Sequence, residues 1–194
     1  MNPPEIFTAK AENRDKVIHS IIIGFSADPL TRWFWPDAAS YLLSGPGFDA
    51  FGGRSIDCGT AFTTEHYEGV ALWMPPGVKP DEERMVPILE ATVPKEILED
   101  VFKVFEVMDG YHPEDPCWYL PLIAVDPFYQ GNGYGSQLMK HALSRVDEDG
   151  LPAYLESSNP RNISLYERHG FEIMGQIQIG SSPPVTPMIM QPSQ

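Results

Sequence analysis

Eight residues, Trp118 to Val125, are apolar almost without interruption, and no other segment constrains the fold as strongly. A strand with one wet face alternates apolar and polar residues; a continuous run suits a strand covered on both faces, near the middle of a sheet. Pro121 lies inside the run and cannot donate to a ladder, so a bulge or a locally unpaired backbone is expected there. From Gly133 to Val146, the residues Leu138, Met139, Ala142, Leu143 and Val146 recur on one helical face, with Gly150 beyond the end. Between strand and helix stands Val125-Asp126-Pro127-Phe128-Tyr129-Gln130-Gly131-Asn132-Gly133-Tyr134-Gly135-Ser136. Strand, glycine-rich turn and helix in that order make a phosphate cradle. Successive amides point outward, the helix dipole adds partial positive charge, and glycine lets an anion reach the backbone.

That cradle matters because the chain is acidic, with 27 Asp and Glu against 13 Lys and Arg and a formal charge of -14. Nucleic acid is opposed, since phosphate neutralisation needs clustered Lys and Arg. Main-chain donors can still hold a pyrophosphate, and an acidic surface favours cationic ligands such as amines. The glycines at 131, 133 and 135 do not fit the GxGxxG fingerprint, and no Gly-Lys-Ser or Gly-Lys-Thr triplet of a P-loop occurs. Cys58 and Cys117 lie far apart without CxxC spacing or a histidine set beside them, so they are expected as buried free thiols and no metal site is expected. No apolar run approaches the roughly 18 residues of a membrane span, and residues 1–16 lack a signal pattern, so a cytoplasmic protein with no membrane partner is expected.

Elsewhere the pattern predicts one α/β domain over residues 1–194. Asn13 suits an N-cap for a helix carrying Val17, Ile18, Ile21, Ile22 and Phe25. Asp28 to Leu43 suggests a short helix broken before Pro36, with Trp33, Phe34, Trp35 and Tyr41 either in the core or lining a pocket. Residues 45–53 are expected as a glycine loop, and Ile56–Thr63 with Tyr67–Trp73 as a hairpin. About residues 77–110 form a helical insert, carrying Ile97, Val101, Val104, Phe105 and Met108 on one stripe. Ala153–Ser157 is expected as a strand, Ile163–His169 as a helix stopped by Gly170, and Phe171–Ile179 as a strand. Residues 183–192 suit an edge strand whose prolines keep it out of the sheet interior.

Two stretches carry a resemblance. Gln130 with Gly133 and Gly135 fits the Q/R-x-x-G-x-G/A signature of the GCN5-related N-acetyltransferase (GNAT) superfamily. Asn159-Pro160-Arg161-Asn162-Ile163-Ser164-Leu165-Tyr166-Glu167-Arg168-His169-Gly170-Phe171 resembles that family's N-x-x-N/A-x-x-L-Y-E-x-x-G-F segment. The close resemblance covers about Trp118 to Phe171. It implies a mixed central β-sheet, splayed at its middle and flanked by helices, with acetyl-CoA in the opening. The amides around Gln130, Gly131, Asn132, Gly133, Tyr134, Gly135 and Ser136 would then hold the pyrophosphate. The backbone of Ile123, Ala124 and Val125 would pair with the pantetheine arm, Asn159 or Asn162 would bond it, and Tyr166 would sit near the thioester sulfur.

The implied chemistry is direct attack of a neutral amine on the thioester, with a backbone N–H near Val125 polarising the carbonyl and Tyr166 serving the departing thiolate. For the proton on the amine, Glu156, Glu65, His66 and His112 are candidates, and Glu156 is preferred because its strand runs directly into the second motif. The acceptor is a small-molecule amine or a peptide amino group, and a homodimer stays open. A non-catalytic acyl-CoA-binding or sensing module is the alternative.

Overall fold

A computed structural model describes residues 4–192. The elements run β1 (Ile6–Thr8), α1 (Arg14–Gly24), α2 (Pro29–Phe34), α3 (Ala38–Leu42), α4 (Gly45–Gly52), α5 (Arg54–Asp57), β2 (Ala61–Thr64), β3 (Gly69–Met74), α6 (Glu82–Thr92) and α7 (Leu98–Tyr111). They continue with β4 (Trp118–Val125), α8 (Tyr134–Asp149), β5 (Ala153–Ser157), α9 (Ile163–Glu167), β6 (Glu172–Ile173) and β7 (Thr186–Met190).

These strands form one sheet in the order β1-β2-β3-β4-β5-β7-β6, which places β4 in the middle as its apolar run requires. Period-two alternation divides β3 between two cores. Val70 and Leu72 face α1, α4, α6 and α7, while Ala71 and Trp73 face α8. Leu138, Met139, Ala142 and Val146 of α8 are almost wholly buried. At about 1.5–3 kcal/mol for each large apolar side chain, this stripe seats α8; its N-terminus, Gly133, has no side chain with which to cap it.

The interruption expected at Pro121 is present. Leu72 pairs with Leu122 but Met74 pairs with Tyr119, so two residues of β4, Leu120 and Pro121, oppose Trp73 alone. On its other edge β4 runs parallel to β5 only over Trp118–Leu120 against Ala153–Leu155. Beyond Pro121 the two strands part, β4 staying with β3 and β5 with β7. The sheet is mixed and splayed at its middle, and the splay begins at the proline.

Several expectations are corrected. Asn13 precedes α1 but makes no side-chain cap bond. Residues 45–53 are not a loop: α4 forms there, with Pro46 in its first turn. Its glycines allow close packing, since a Cβ on Gly52 would stand 2.7 Å from Leu122 Cδ1. Ile56 belongs to α5, and the hairpin starts at Ala61. Cys58 is exposed, whereas Cys117 is buried. Phe171–Ile179 contributes only the two-residue β6 and an isolated bridge from Ile177 to Val185. The tail strand is not an edge: β7 lies between β5 and β6. Pro187 is tolerated because its carbonyl accepts from Met174 N–H on the β6 side. Its missing donor therefore faces the short outer strand and leaves the ladder with β5 intact.

Helix α1 meets β4 through Gly24, where a Cβ would lie 2.6 Å from Ala124 Cβ and 3.1 Å from Val125 N. Alanine would gain about 1 kcal/mol in helix propensity but must push against a central strand, at about 1–3 kcal/mol. Gly24→Ala is therefore expected to lower stability by about 1 kcal/mol, read as a shift in the urea midpoint.

Candidate active site

The turn after β4 is built to present donors. Gly131 and Gly133 hold φ of +78° and +84°, a region other residues enter at a cost. Asp126 Oδ1 accepts from Phe128 N–H at 2.9 Å and starts the turn. Gln130 Nε2 donates to Val125 O at 3.1 Å, and Asn132 Nδ2 donates to Tyr129 O and Gln130 O at 3.1 and 3.2 Å. Loop carbonyls are thus tied back by side chains. The main-chain N–H groups from Gln130 to Ser136 donate to no other group among the described residues. They include the first turn of α8, where the helix leaves its own amides free. His169 Nδ1 lies 3.0 Å from Leu165 O and so carries the proton, which makes Nε2 the acceptor for the Ser136 hydroxyl at 3.1 Å.

These amides open on a cleft of ≈ 520 Å³ that also takes in Ile123, Ala124 and Val125 of β4 and Asn159, Asn162 and Tyr166 beyond β5. Of the residues expected at the turn, only Asn132 does not line it. The rim also carries Arg161 and Arg168, which sequence reasoning passed over although both lie within the second motif. They add the cationic charge the turn itself lacks. Asp126 N–H donates to Glu68 O toward β3. By strand alternation, Ile123 and Val125 turn their main-chain groups into the gap, while Ala124 turns its own toward β3. Asn159 Oδ1 is engaged with Arg161 N–H at 3.1 Å, whereas the Asn162 side chain makes no hydrogen bond among the described residues. Tyr166 is buried and lines the cleft. Burial, with Asp28 nearby, pushes its pKa above the ordinary 10, so it stays protonated.

On the far side of the gap, Glu156 stands one position past the last parallel pair, Leu120 with Leu155. Its Oε2 accepts from Tyr119 Oη at 2.8 Å. Burial pushes its pKa up to about 7 against the pull of the Tyr119 hydroxyl. His112 packs against Tyr119 and Tyr154 at ring distances of 5.2 and 4.9 Å. Tyr119 and Tyr154 are additions to the expected residues. Each lies on an expected strand, but only the β4–β5 register makes them neighbours. Glu65 and His66 sit exposed on the β2–β3 turn, away from the gap. Phe34 and Trp35 are both core residues and walls of a small cavity beside Glu156, while Trp33 lies outside that wall and donates to Ser181 Oγ at 3.1 Å.

Residues 102–171 match the family model described as Acetyltransferase (GNAT) family, a span that includes the glycine turn, Glu156 and Tyr166. Over that stretch the chain resembles the GNAT family. The GNAT fold extends over the rest of the molecule. A solved histone acetyltransferase HPA2 and related acetyltransferase from Corynebacterium glutamicum superposes with a TM-score of 0.68 at 24% identity, covering 99% of this chain and 98% of that one. An uncharacterized N-acetyltransferase of Schizosaccharomyces pombe is 28% identical over 141 residues, 65% of this chain and 57% of that protein. A mycothiol acetyltransferase of Brachybacterium faecium is 38% identical over 58 residues, 28% of this chain and 18% of that protein. The chain therefore spans little more than half the length of the first relative and less than a fifth of the second. GNAT acetyltransferases use acetyl-CoA as acetyl donor. No described helix is long and apolar enough to cross a membrane.

Proposed function

We propose that this chain is a GNAT-type enzyme that moves the acetyl group of acetyl-CoA to a primary amine by direct attack, without a covalent enzyme intermediate. The observation that carries this reading is the parting of β4 from β5 beside a turn whose amides are free. Those amides, with Arg161 and Arg168, suit a pyrophosphate at the open end of the cleft. Ile123 and Val125 offer the pantetheine arm an unpaired strand edge, and Asn162 offers it a free amide. The Val125 N–H polarises the thioester carbonyl in this reading. Tyr166 stays protonated and donates a hydrogen bond to the sulfur as charge builds there. Glu156, ionising near neutral pH, takes the proton from the incoming ammonium. The acceptor is a small amine rather than a polymer, because Glu156 lines cavities of ≈ 90 and ≈ 280 Å³.

The test is thiol release from acetyl-CoA over a panel of primary amines. Tyr166→Phe removes one hydrogen bond to a developing charge, about 1.5–3 kcal/mol, so kcat is expected to fall about 10- to 100-fold with acetyl-CoA affinity unchanged. Amine-independent binding with no thiol released by either protein would instead mark a sensing module.

A further inference from the structure

Three spaces share walls in series through the splay. The acetyl-CoA cleft shares Phe25, Ile123, Asn162 and Tyr166 with an inner cavity of ≈ 90 Å³. That cavity in turn shares Phe51, Met85, Phe105, Met108 and Glu156 with an outer chamber of ≈ 280 Å³ beside α6 and α7. The two ends differ in chemistry. The outer chamber carries Glu82, Glu106 and Asp109 against Lys79 alone. The inner cavity is walled by Phe34, Trp35, Phe48 and Leu89, and Glu156 is the only acidic side chain among the described residues that line it.

Resting on the acetyl-transfer reading above, we propose that these two spaces are the acceptor route, entered beside α6 and α7, and that the acceptor is a primary monoamine on a compact apolar body. The cleft side is taken up by the donor, so the acceptor approaches from the other face. Acidic groups at the entrance draw in an ammonium ion. An ammonium moved among Phe34, Trp35 and Phe48 would lose its hydration without a counter-charge. Glu156 stands at the junction of the wet chamber and the dry cavity, where the N–H bond of the ammonium breaks and the carboxylate gains the proton. The neutral amine then forms its bond to the thioester carbon while the C–S bond breaks, and the proton shed by the nitrogen passes to the departing thiolate, giving the amide and free coenzyme A thiol. The inner cavity is smaller than the roughly 150 Å³ space known to admit benzene. It fits a chain of a few carbons outright, and a single ring once the flexible Met85 and Met108 shift. A diamine or an amino acid would bring a second charge into the same apolar walls.

The experiment compares ethylamine, propylamine, butylamine, benzylamine, 1,4-diaminobutane and lysine by thiol release at saturating acetyl-CoA. Each buried methylene is worth about fourfold in kcat/KM, so the three alkylamines should climb by about that factor per carbon, and 1,4-diaminobutane and lysine should fall at least tenfold below butylamine. Val86→Trp, at an exposed position lining only the outer chamber, should raise the KM for butylamine severalfold and leave the KM for acetyl-CoA unchanged. A flat alkyl series, or a diamine or lysine preferred over butylamine, would overturn the acceptor assignment while leaving acetyl transfer intact. Binding of acetyl-CoA with no turnover of any amine would overturn both. The alkyl series needs no variant, so it decides the matter even if Val86→Trp does not fold.

Discussion

Glu156→Gln is expected to lower kcat/KM for amine acceptors by about two to four orders of magnitude, the range for removing a positioned general base, and to abolish the pH dependence near 7. In the parent protein the rate should rise with pH through about 7 and then level off, because burial holds the Glu156 carboxyl protonated below that point. Acetyl-CoA affinity should not change, since Glu156 does not line the donor cleft. Stability supplies an independent check with a definite sign. The folded chain holds this proton more tightly than the unfolded chain, whose carboxyl titrates near 4.5. Stability contributed below pH 4.5 is therefore lost as pH rises through 7, by on the order of 3 kcal/mol, and the loss levels off above that. Glutamine cannot ionise, so the variant should melt higher than the parent at pH 8 and show no decline between pH 5 and 7. A variant that kept both the rate and the pH limb would place the base elsewhere.

Gly135→Val is expected to remove acetyl-CoA binding while leaving the protein folded. A Cβ at Gly135 meets only the tip of Leu165 Cδ2 at 3.3 Å and Val125 Cγ2 at 3.9 Å, contacts that flexible side chains can relax. The valine methyls would stand over the free amides of the first turn of α8 and keep a diphosphate at a distance. At ligand 100 times its Kd the parent gains about 2.7 kcal/mol, whereas a hundredfold loss of affinity leaves about 0.4 kcal/mol at the same concentration. Thermal shift with acetyl-CoA reads this directly. An undiminished shift would mean that the donor is held by something other than this turn.

The amino-acid order by itself determined the middle of the molecule. A continuous apolar strand, a proline that interrupts it, a glycine turn and a five-residue stripe on α8 are local patterns, and each is set by burial or backbone freedom within a few residues. The same holds for Gly170 closing the segment after α9, at φ of +86°. Tertiary structure decided what depends on who the neighbours are. Gly45–Gly52 forms a helix because Trp35, Leu72 and Leu122 accept its glycines at close range. Pro187 enters the sheet interior because β6 ends after two residues. Glu156 is an ordinary glutamate in the sequence; burial in the folded chain pushes it up to about 7, against the pull of the Tyr119 hydroxyl that the β4–β5 register sets beside it. Hydrophobic period and turn chemistry act over short stretches of chain, whereas the β4–β5 pairing beside Glu156 joins residues 35 positions apart.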